Sequence, residues 1–223
     1  MIITIDGYIA TGKSSVAKKL AEAIGFIFFD TGAMYRTLTY GLLKHHINFH
    51  NEEDLKKFLD SFDMDVKIYR RERLYFYEDE DVTDKIRSRE VTEAVSEISA
   101  NKAVRDKLIL LQRELSVGVN AVFEGRDMGT VVFPNAELKI FLIGRNEIRA
   151  KRRFDEIVQK YPEQAKNLTL EQCLEDINRR DHYDSTRENS PLVQPKDAHV
   201  IDTSDLSLDD VVNKILESHA SLT

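Results

Sequence analysis

The first fifteen residues, MIITIDGYIATGKSS, constrain the fold of this chain more than any other stretch. Residues 2–5 are apolar and mostly β-branched, and they predict a short buried strand. Gly7, Tyr8, Ile9, Ala10, Thr11, Gly12, Lys13, Ser14 and Ser15 follow at once. The first eight of these fit G-x-x-x-x-G-K-[ST], the phosphate-binding loop. Val16, Leu20, Ala23 and Ile24 then recur at helical spacing, with Gly25 as the stop. Strand, glycine-bounded loop and helix therefore stand in the order that this motif requires.

The residue types follow from the chemistry. Backbone amides can curl around phosphate oxygens only where the chain bends tightly, which calls for Gly7 and Gly12. A helix opening near Lys13 aims its unpaired amides and the positive end of its dipole at the same anion. Lys13 can reach the β- and γ-phosphates of a nucleotide, and the Ser14 hydroxyl can ligate Mg²⁺.

A length of 223 residues suits one α/β domain with room for a small insert. The net charge of −7 argues against a protein that coats nucleic acid, since phosphate neutralisation needs a basic face. One cysteine, Cys173, allows no internal disulfide and no cysteine metal cage, and fits a reducing cytoplasm. No apolar run approaches the length of a membrane span, and neither a leader pattern nor a repeat is visible.

Residues 26–29 read as a second buried strand. Asp30, Thr31 and Gly32 break it, and a helix is expected from near Ala33. In an open parallel sheet, ligands lie beyond the carboxyl ends of the strands. Thr31, Tyr35 and Arg36 fall there; a capping Thr31 and a surface Arg36 are the plainer alternative. Residues 37–89 change character. After a helix over residues 52–59, the runs DVKIY and RERLYFY alternate about a polar turn near residues 70–73. That pattern predicts an antiparallel hairpin, foreign to a parallel sheet, and hence an inserted subdomain. His45, His46 and His50 lack ligand-spaced partners and read as a solvated helix end. Residues 90–116 read as a long helical stretch with a break at Asn101. On pattern alone its Ser96 and Arg105 are ordinary surface residues.

Residues 121–123 and 138–144 read as further buried strands, the first ending in Glu124, Gly125, Arg126 and Asp127. Parallel strands separated by helices predict a doubly wound α/β fold flanked by helices. Arg145, Arg149, Arg152 and Arg153 fall on one helical face. Arg180, Asp184 and Arg187 fall on another. Charged faces usually serve as solvated surfaces, but two arginine faces in an acidic chain point to phosphate handling, for which the guanidinium fork is suited.

Taken in order, TIDGYIATGKSS, FDTGAMYR, EDVTDKIR, FEGRDMGTVVFP, LKIFL, RAKRR and RRDHYDSTR resemble the bacterial cytidylate kinases over nearly the whole chain. The loop is generic, whereas GRDMGTVVFP joined to DTGAMYR is specific. The resemblance implies a P-loop nucleoside monophosphate kinase with a small antiparallel acceptor-binding insert at 37–89 and a short lid at about 154–167. It implies transfer of the ATP γ-phosphoryl group to CMP or dCMP, with Mg²⁺ accompanying ATP. It assigns Thr31, Arg36, Arg126 and Arg180 to the acceptor phosphate, with Tyr35 beside them. Ser96, Arg105 and Asp127 match cytosine-reading positions. Asp184 and Arg187 match positions at the sugar and its phosphate side. Arg149, Arg152 and Arg153 match the arginine-rich approach to the lid. Lys13, Arg126, Arg180 and Arg153 are the expected catalytic set, and Ser14 is the expected metal ligand. Tyr8 replaces a common proline and Thr31 a frequent serine; neither change removes a needed functional group.

Two other classes compete with this reading. A GTPase-type switch would carry N-K-x-D, and residues 101–104 read NKAV. A non-catalytic nucleotide-binding module would have no use for two arginine faces. Among kinases, UMP, AMP or shikimate are the alternative acceptors. The expected partners are ATP and CMP or dCMP alone, with no nucleic acid, no membrane and a monomeric, cytoplasmic state.

Overall fold

Strand β1 (Ile2–Gly7) alternates Ile3 and Ile5 with Thr4 and Asp6, and all four side chains are buried. A strand buried on both faces belongs at the centre of a covered parallel sheet. The computed structural model describes residues 1–69, 72–166 and 168–221. In chain order, β1 is followed by α1 (Lys13–Ile24), β2 (Ile27–Asp30), α2 (Thr31–Lys44) and α3 (Glu52–Ser61). Then come β3 (Asp65–Tyr69), β4 (Glu72–Tyr77), β5 (Glu80–Asp81), α4 (Arg89–Ile98) and α5 (Lys102–Leu115). The remainder is β6 (Ala121–Glu124), β7 (Leu138–Ile143), α6 (Asn146–Lys160), α7 (Pro162–Ala165), α8 (Leu170–Thr186), β8 (His199–Asp202) and α9 (Leu208–Ala220). The chain divides into two units, residues 1–29 with 116–223, and residues 30–115.

The first unit carries a five-stranded sheet in the order β2-β6-β1-β7-β8. The pairs β1–β6, β1–β7 and β7–β8 are parallel, with Ile3 opposite both Val122 and Leu138. Ile3, Ile5, Ile140 and Leu142 pack with Val16 and Leu20 of α1 and Val211, Val212 and Ile215 of α9. Each such fully buried aliphatic side chain contributes about 1.5–3 kcal/mol. The doubly wound sheet expected from the alternation of strands and helices is therefore present. Strand β1 runs to Gly7, two residues further than the apolar run. Gly7 has φ +146°, and a Cβ there would stand 2.1 Å from the Leu142 carbonyl oxygen, so no side chain fits.

The second unit carries the antiparallel sheet β3-β4-β5, with Asp65 opposite Phe76. The expected hairpin is there, and its tip, Arg70 and Arg71, lies outside the described residues. Leu38 and Leu42 of α2, Leu55 and Phe58 of α3, Tyr75 and Tyr77 of β4 and Ile98 and Leu108 of the later helices form its core. The long helical stretch is broken at Asn101, as expected, into α4 and α5. The Asn101 side chain accepts the amides of Ala103 and Val104 and so starts α5 afresh. Asp30, and not Thr31, caps α2, accepting the amide of Ala33 at 2.9 Å. Among the described residues no helix is long and apolar enough to cross a membrane.

Candidate active site

The loop between β1 and α1 closes on itself through short bonds. Lys13 Nζ donates to the Tyr8 carbonyl oxygen at 2.6 Å, and Thr11 Oγ1 donates to the same oxygen at 2.9 Å. Gly12 turns the chain into α1 at φ +89°. Ala10 adopts φ +58°, a left-handed conformation that costs an L-residue free energy and is typical of functional loops. Burial and the neighbouring Arg126 push the Lys13 ammonium down to about 7, against the opposing pull of Glu124, Asp184 and Asp6.

The loop is also gripped from α6 and α8. Asp181 Oδ1 accepts the Ile9 amide at 3.3 Å, and Asp181 Oδ2 pairs with Arg149 at 2.7 Å. Arg149 Nη1 in turn donates to the Ile9 carbonyl oxygen at 3.0 Å. Both ends of the Ile9 residue are thus held by one buried ion pair. Arg149 also donates to Gly144 O and Asn146 Oδ1, and its guanidinium lies 5.3 Å from the Tyr8 ring centre. The Tyr8 ring meets Phe141 edge-on. The residue that replaces a common proline therefore has aromatic and cationic neighbours of its own. A cavity of about 500 Å³ adjoins the loop, lined in part by Tyr8, Asn146, Arg149, Asn178 and Asp181.

Ser14 Oγ donates to Glu124 Oε1 at 2.7 Å. Ile5 stands opposite Glu124 in the sheet, so this carboxylate shares the α1 side of β1. A hydroxyl and a carboxylate are hard oxygen donors, the kind that Mg²⁺ takes while keeping water and substrate phosphate oxygens. Among the described residues no three His, Cys, Asp or Glu side chains gather into a metal site of their own. The donor set fits Mg²⁺ brought with a phosphate ligand.

Two of the expected acceptor-side arginines converge on one carboxylate in the first unit, that of Asp184. Arg126 Nε donates to Asp184 Oδ2 at 2.9 Å, and Arg180 Nε donates to Asp184 Oδ1 at 3.2 Å. Burial raises the Asp184 pKa, and Arg126 and Arg180 together outweigh it, so the carboxyl sits below its ordinary value. Asp127, 2% exposed, stands 3.9 Å from Arg187 Nη2. On the other side of β1 from Ser14, Asp6 accepts the amides of Met128 and Gly129 at 3.0 and 2.7 Å. Burial pushes the Asp6 carboxyl up to about 6 despite these two bonds.

The second unit holds Thr31, Tyr35, Arg36, Ser96 and Arg105. Thr31 opens α2 and is buried. Arg36 Nη1 donates to Thr92 Oγ1 at 2.8 Å and to Ile86 O at 3.3 Å. Arg105 is not the surface residue that pattern alone suggests. It is 2% exposed, donates to Ser99 O at 3.0 Å, and lies 5.2 Å from the centre of the Tyr35 ring. Ser99 Oγ donates to Ser96 O, which places Ser96 one turn from that contact.

The single arginine face expected on α6 is not what forms. Arg145 precedes the helix and pairs with Asp205, and Arg149 turns inward to the loop. Arg152 binds Thr203, while Arg153 stays near the surface with Glu156. Regular spacing puts side chains on one side of a helix; their separate partners then spread the charged ends apart. Sequence reasoning also assigned no role to Asp6, Glu124 or Asp181. A carboxylate alternating with apolar residues, and another ending a strand, were the available signals for the first two. Asp181 had none beyond its neighbour Arg180.

The cytidylate kinase family model matches residues 3–221. The chain is 65% identical over 217 residues to a cytidylate kinase of Protochlamydia amoebophila, covering 97% of this chain and 95% of that protein. It is 44% identical over 216 residues to a cytidylate kinase of Halalkalibacterium halodurans, covering 97% and 96%. The fold is similar to that of a shikimate kinase from Bacteroides thetaiotaomicron, with a TM-score of 0.53 at 12% identity over 99% of this chain and 98% of that one. With a parallel sheet, an intact phosphate loop and a family match along nearly its whole length, the chain belongs to the cytidylate kinase family of nucleoside monophosphate kinases.

Proposed function

We propose that this chain transfers the γ-phosphoryl group of ATP to CMP or dCMP, giving CDP or dCDP. The observation that carries the reading is the Arg126–Asp184–Arg180 cluster. It sets two guanidiniums in the same unit as the loop, with Arg126 near enough to Lys13 to depress its pKa. A second centre of positive charge beside a phosphate loop suits a second phosphate, the acceptor's.

Phosphoryl transfer needs positioning and charge stabilisation more than covalent help. The attacking atom is a phosphate oxygen of the acceptor, ionised at neutral pH, so no general base is assigned. The loop amides of residues 7–15 cradle the donor phosphates, and Lys13 leaves Tyr8 O to meet the β- and γ-oxygens. The cavity beside Tyr8 and Arg149 has room for the donor's nucleoside. Ser14, with Glu124 behind it, would hold Mg²⁺, which supplies charge neutralisation across the phosphate oxygens. Arg126, Arg180 and Arg36 hold the acceptor phosphate, with Thr31 and Tyr35 beside it. Asp184 orients two of these arginines while it and Arg187 face the sugar. Arg153, whose surface partner Glu156 is easily exchanged, reaches the transferring group.

Cytosine offers an N4 amino donor and an N3 acceptor; uracil reverses both. Asp127 accepts from N4, Arg105 donates to N3, and Ser96 does either. Residues 37–89 serve as the acceptor-binding insert and about 154–167 as the lid. The enzyme works on these small substrates as a cytoplasmic monomer without nucleic acid or membrane.

The test is a panel of acceptors with ATP and Mg²⁺: CMP, dCMP, UMP, AMP and shikimate. The expected result is the highest kcat/KM with CMP or dCMP, abolished by EDTA. A preference for UMP, AMP or shikimate would overturn the reading.

A further inference from the structure

Asp127 occupies the capping position of a single π-helical turn, Met128–Val132. An aspartate at such a position ordinarily turns its carboxylate back onto the first free amides of the turn. Asp127 makes no side-chain bond of this kind. The amides of Met128 and Gly129 go instead to Asp6, one to each carboxylate oxygen, at 3.0 and 2.7 Å. Asp6 comes from β1, is 1% exposed, and lies 121 residues away in sequence from Asp127 (127 − 6). The turn rests directly on that face of the strand: a Cβ on Gly129 would stand 3.0 Å from Thr4 Oγ1. The Asp127 carbonyl oxygen accepts the amides of Val131 and Val132 at 2.9 and 3.1 Å, so its backbone is fixed from the other side as well.

We propose that Asp6 is a specificity-positioning residue: it caps the turn in place of Asp127 and so leaves the Asp127 carboxylate to face the acceptor base. The proposal rests on the reading of Asp127 as the acceptor for the cytosine amino group. Without Asp6, two buried amides lose their partner, and leaving buried donors unsatisfied is costly. Asp127 stands at the capping position, from which a carboxylate reaches the second amide of the turn, that of Gly129. It turns back onto that amide and withdraws from the base. Discrimination between CMP and UMP then falls, although Asp127 itself is unchanged.

The experiment measures kcat/KM for CMP and for UMP at saturating ATP and pH 8. It compares wild type, Asp6→Ala, Asp127→Ala and the double variant. Both substrates are read on the same protein with the same ATP, so general damage to the loop cancels in the CMP-to-UMP ratio. Each single substitution is expected to lower that ratio about tenfold or more, in line with one unsatisfied buried group. The double variant should fall no further than Asp127→Ala alone, because in both cases the same carboxylate has left the base. Asp6→Asn is the second variant. It keeps the side-chain volume and one acceptor, but turns its NH₂ toward the other amide, and it too should lower the ratio. If Asp127→Ala lowers the ratio while Asp6→Ala and Asp6→Asn keep it at the wild-type value, the positioning role falls and the base reading stands. Multiplicative effects in the double variant overturn it equally. An unchanged ratio in Asp127→Ala overturns the base reading, and the role of Asp6 with it.

Discussion

Replacing Asp181 with asparagine tests how the phosphate loop is held. The side chain is 13% exposed and meets two donors, the Ile9 amide at 3.3 Å and Arg149 at 2.7 Å. Asparagine has the same shape but a single acceptor oxygen, so one donor faces an NH₂ group whichever way the amide turns. Arg149, 2% exposed, would also lose its counter-charge. Breaking a buried pair by removing one partner costs about 3–5 kcal/mol. Arg149 retains Gly144 O, Ile9 O and Asn146 Oδ1, which puts the expected loss near the lower end, about 3 kcal/mol. Urea unfolding at pH 7.5 reads that number. Initial rates read the second consequence: a loosened Ile9 should raise KM for ATP about tenfold, or ~1.4 kcal/mol, while KM for CMP changes little. Adding Arg149→Met removes the stranded charge, so the double variant should lose less stability than the two single losses added. A stability within 1 kcal/mol of wild type, or a rise in KM for CMP without one for ATP, would refute the argument.

Lys13→Met should fold normally yet lower kcat by about 10²–10³-fold, the usual consequence of losing one preorganised charge contact to the transition state; circular dichroism and turnover together check this. Arg36→Ala or Arg180→Ala should raise KM for CMP far more than KM for ATP, with each lost charged bond costing about 1.5–3 kcal/mol; the opposite split would put these arginines on the donor phosphates. The folded protein holds the Asp6 proton more tightly than the unfolded chain does, since burial lifts its pKa from 3.8 to about 6. Wild-type stability should therefore fall by up to about 3 kcal/mol as pH rises from about 4 to about 6, and level off above. Asp6→Asn should lack that fall, and urea midpoints taken across this range would show it; parallel curves would refute the assignment.

The loop was legible because its parts are contiguous. Strand, Gly7, Lys13 and helix act through backbone geometry that a few neighbouring residues impose. The antiparallel hairpin and the restart of α5 at Asn101 were legible for the same reason, since each is a local alternation or a local cap. What could not be read is what depends on distant partners. Arg126 and Arg180 share Asp184, yet Arg126 is 58 residues from that carboxylate. Arg149 looks like its neighbours on a helical wheel and differs from them only because Asp181 and the Ile9 carbonyl await it. Arg105 sits in a polar-looking helical stretch, and its burial comes from the Tyr35 ring and the Ser99 carbonyl. The turn at residues 128–132 has no spacing signature at all, because its first amides are satisfied from another strand.

The grip of Arg149 and Asp181 on Ile9 also has a mechanical meaning. It fastens α6 and α8 to the phosphate loop at one point, and what lies beyond that point can act as a lever about a fulcrum. At 1.5 Å per residue, Arg153 stands about 6 Å along α6 from Arg149, and the helix end at Lys160 stands about 16 Å away. A swing about Arg149 therefore moves Arg153 by only about a third as far as it moves the tip.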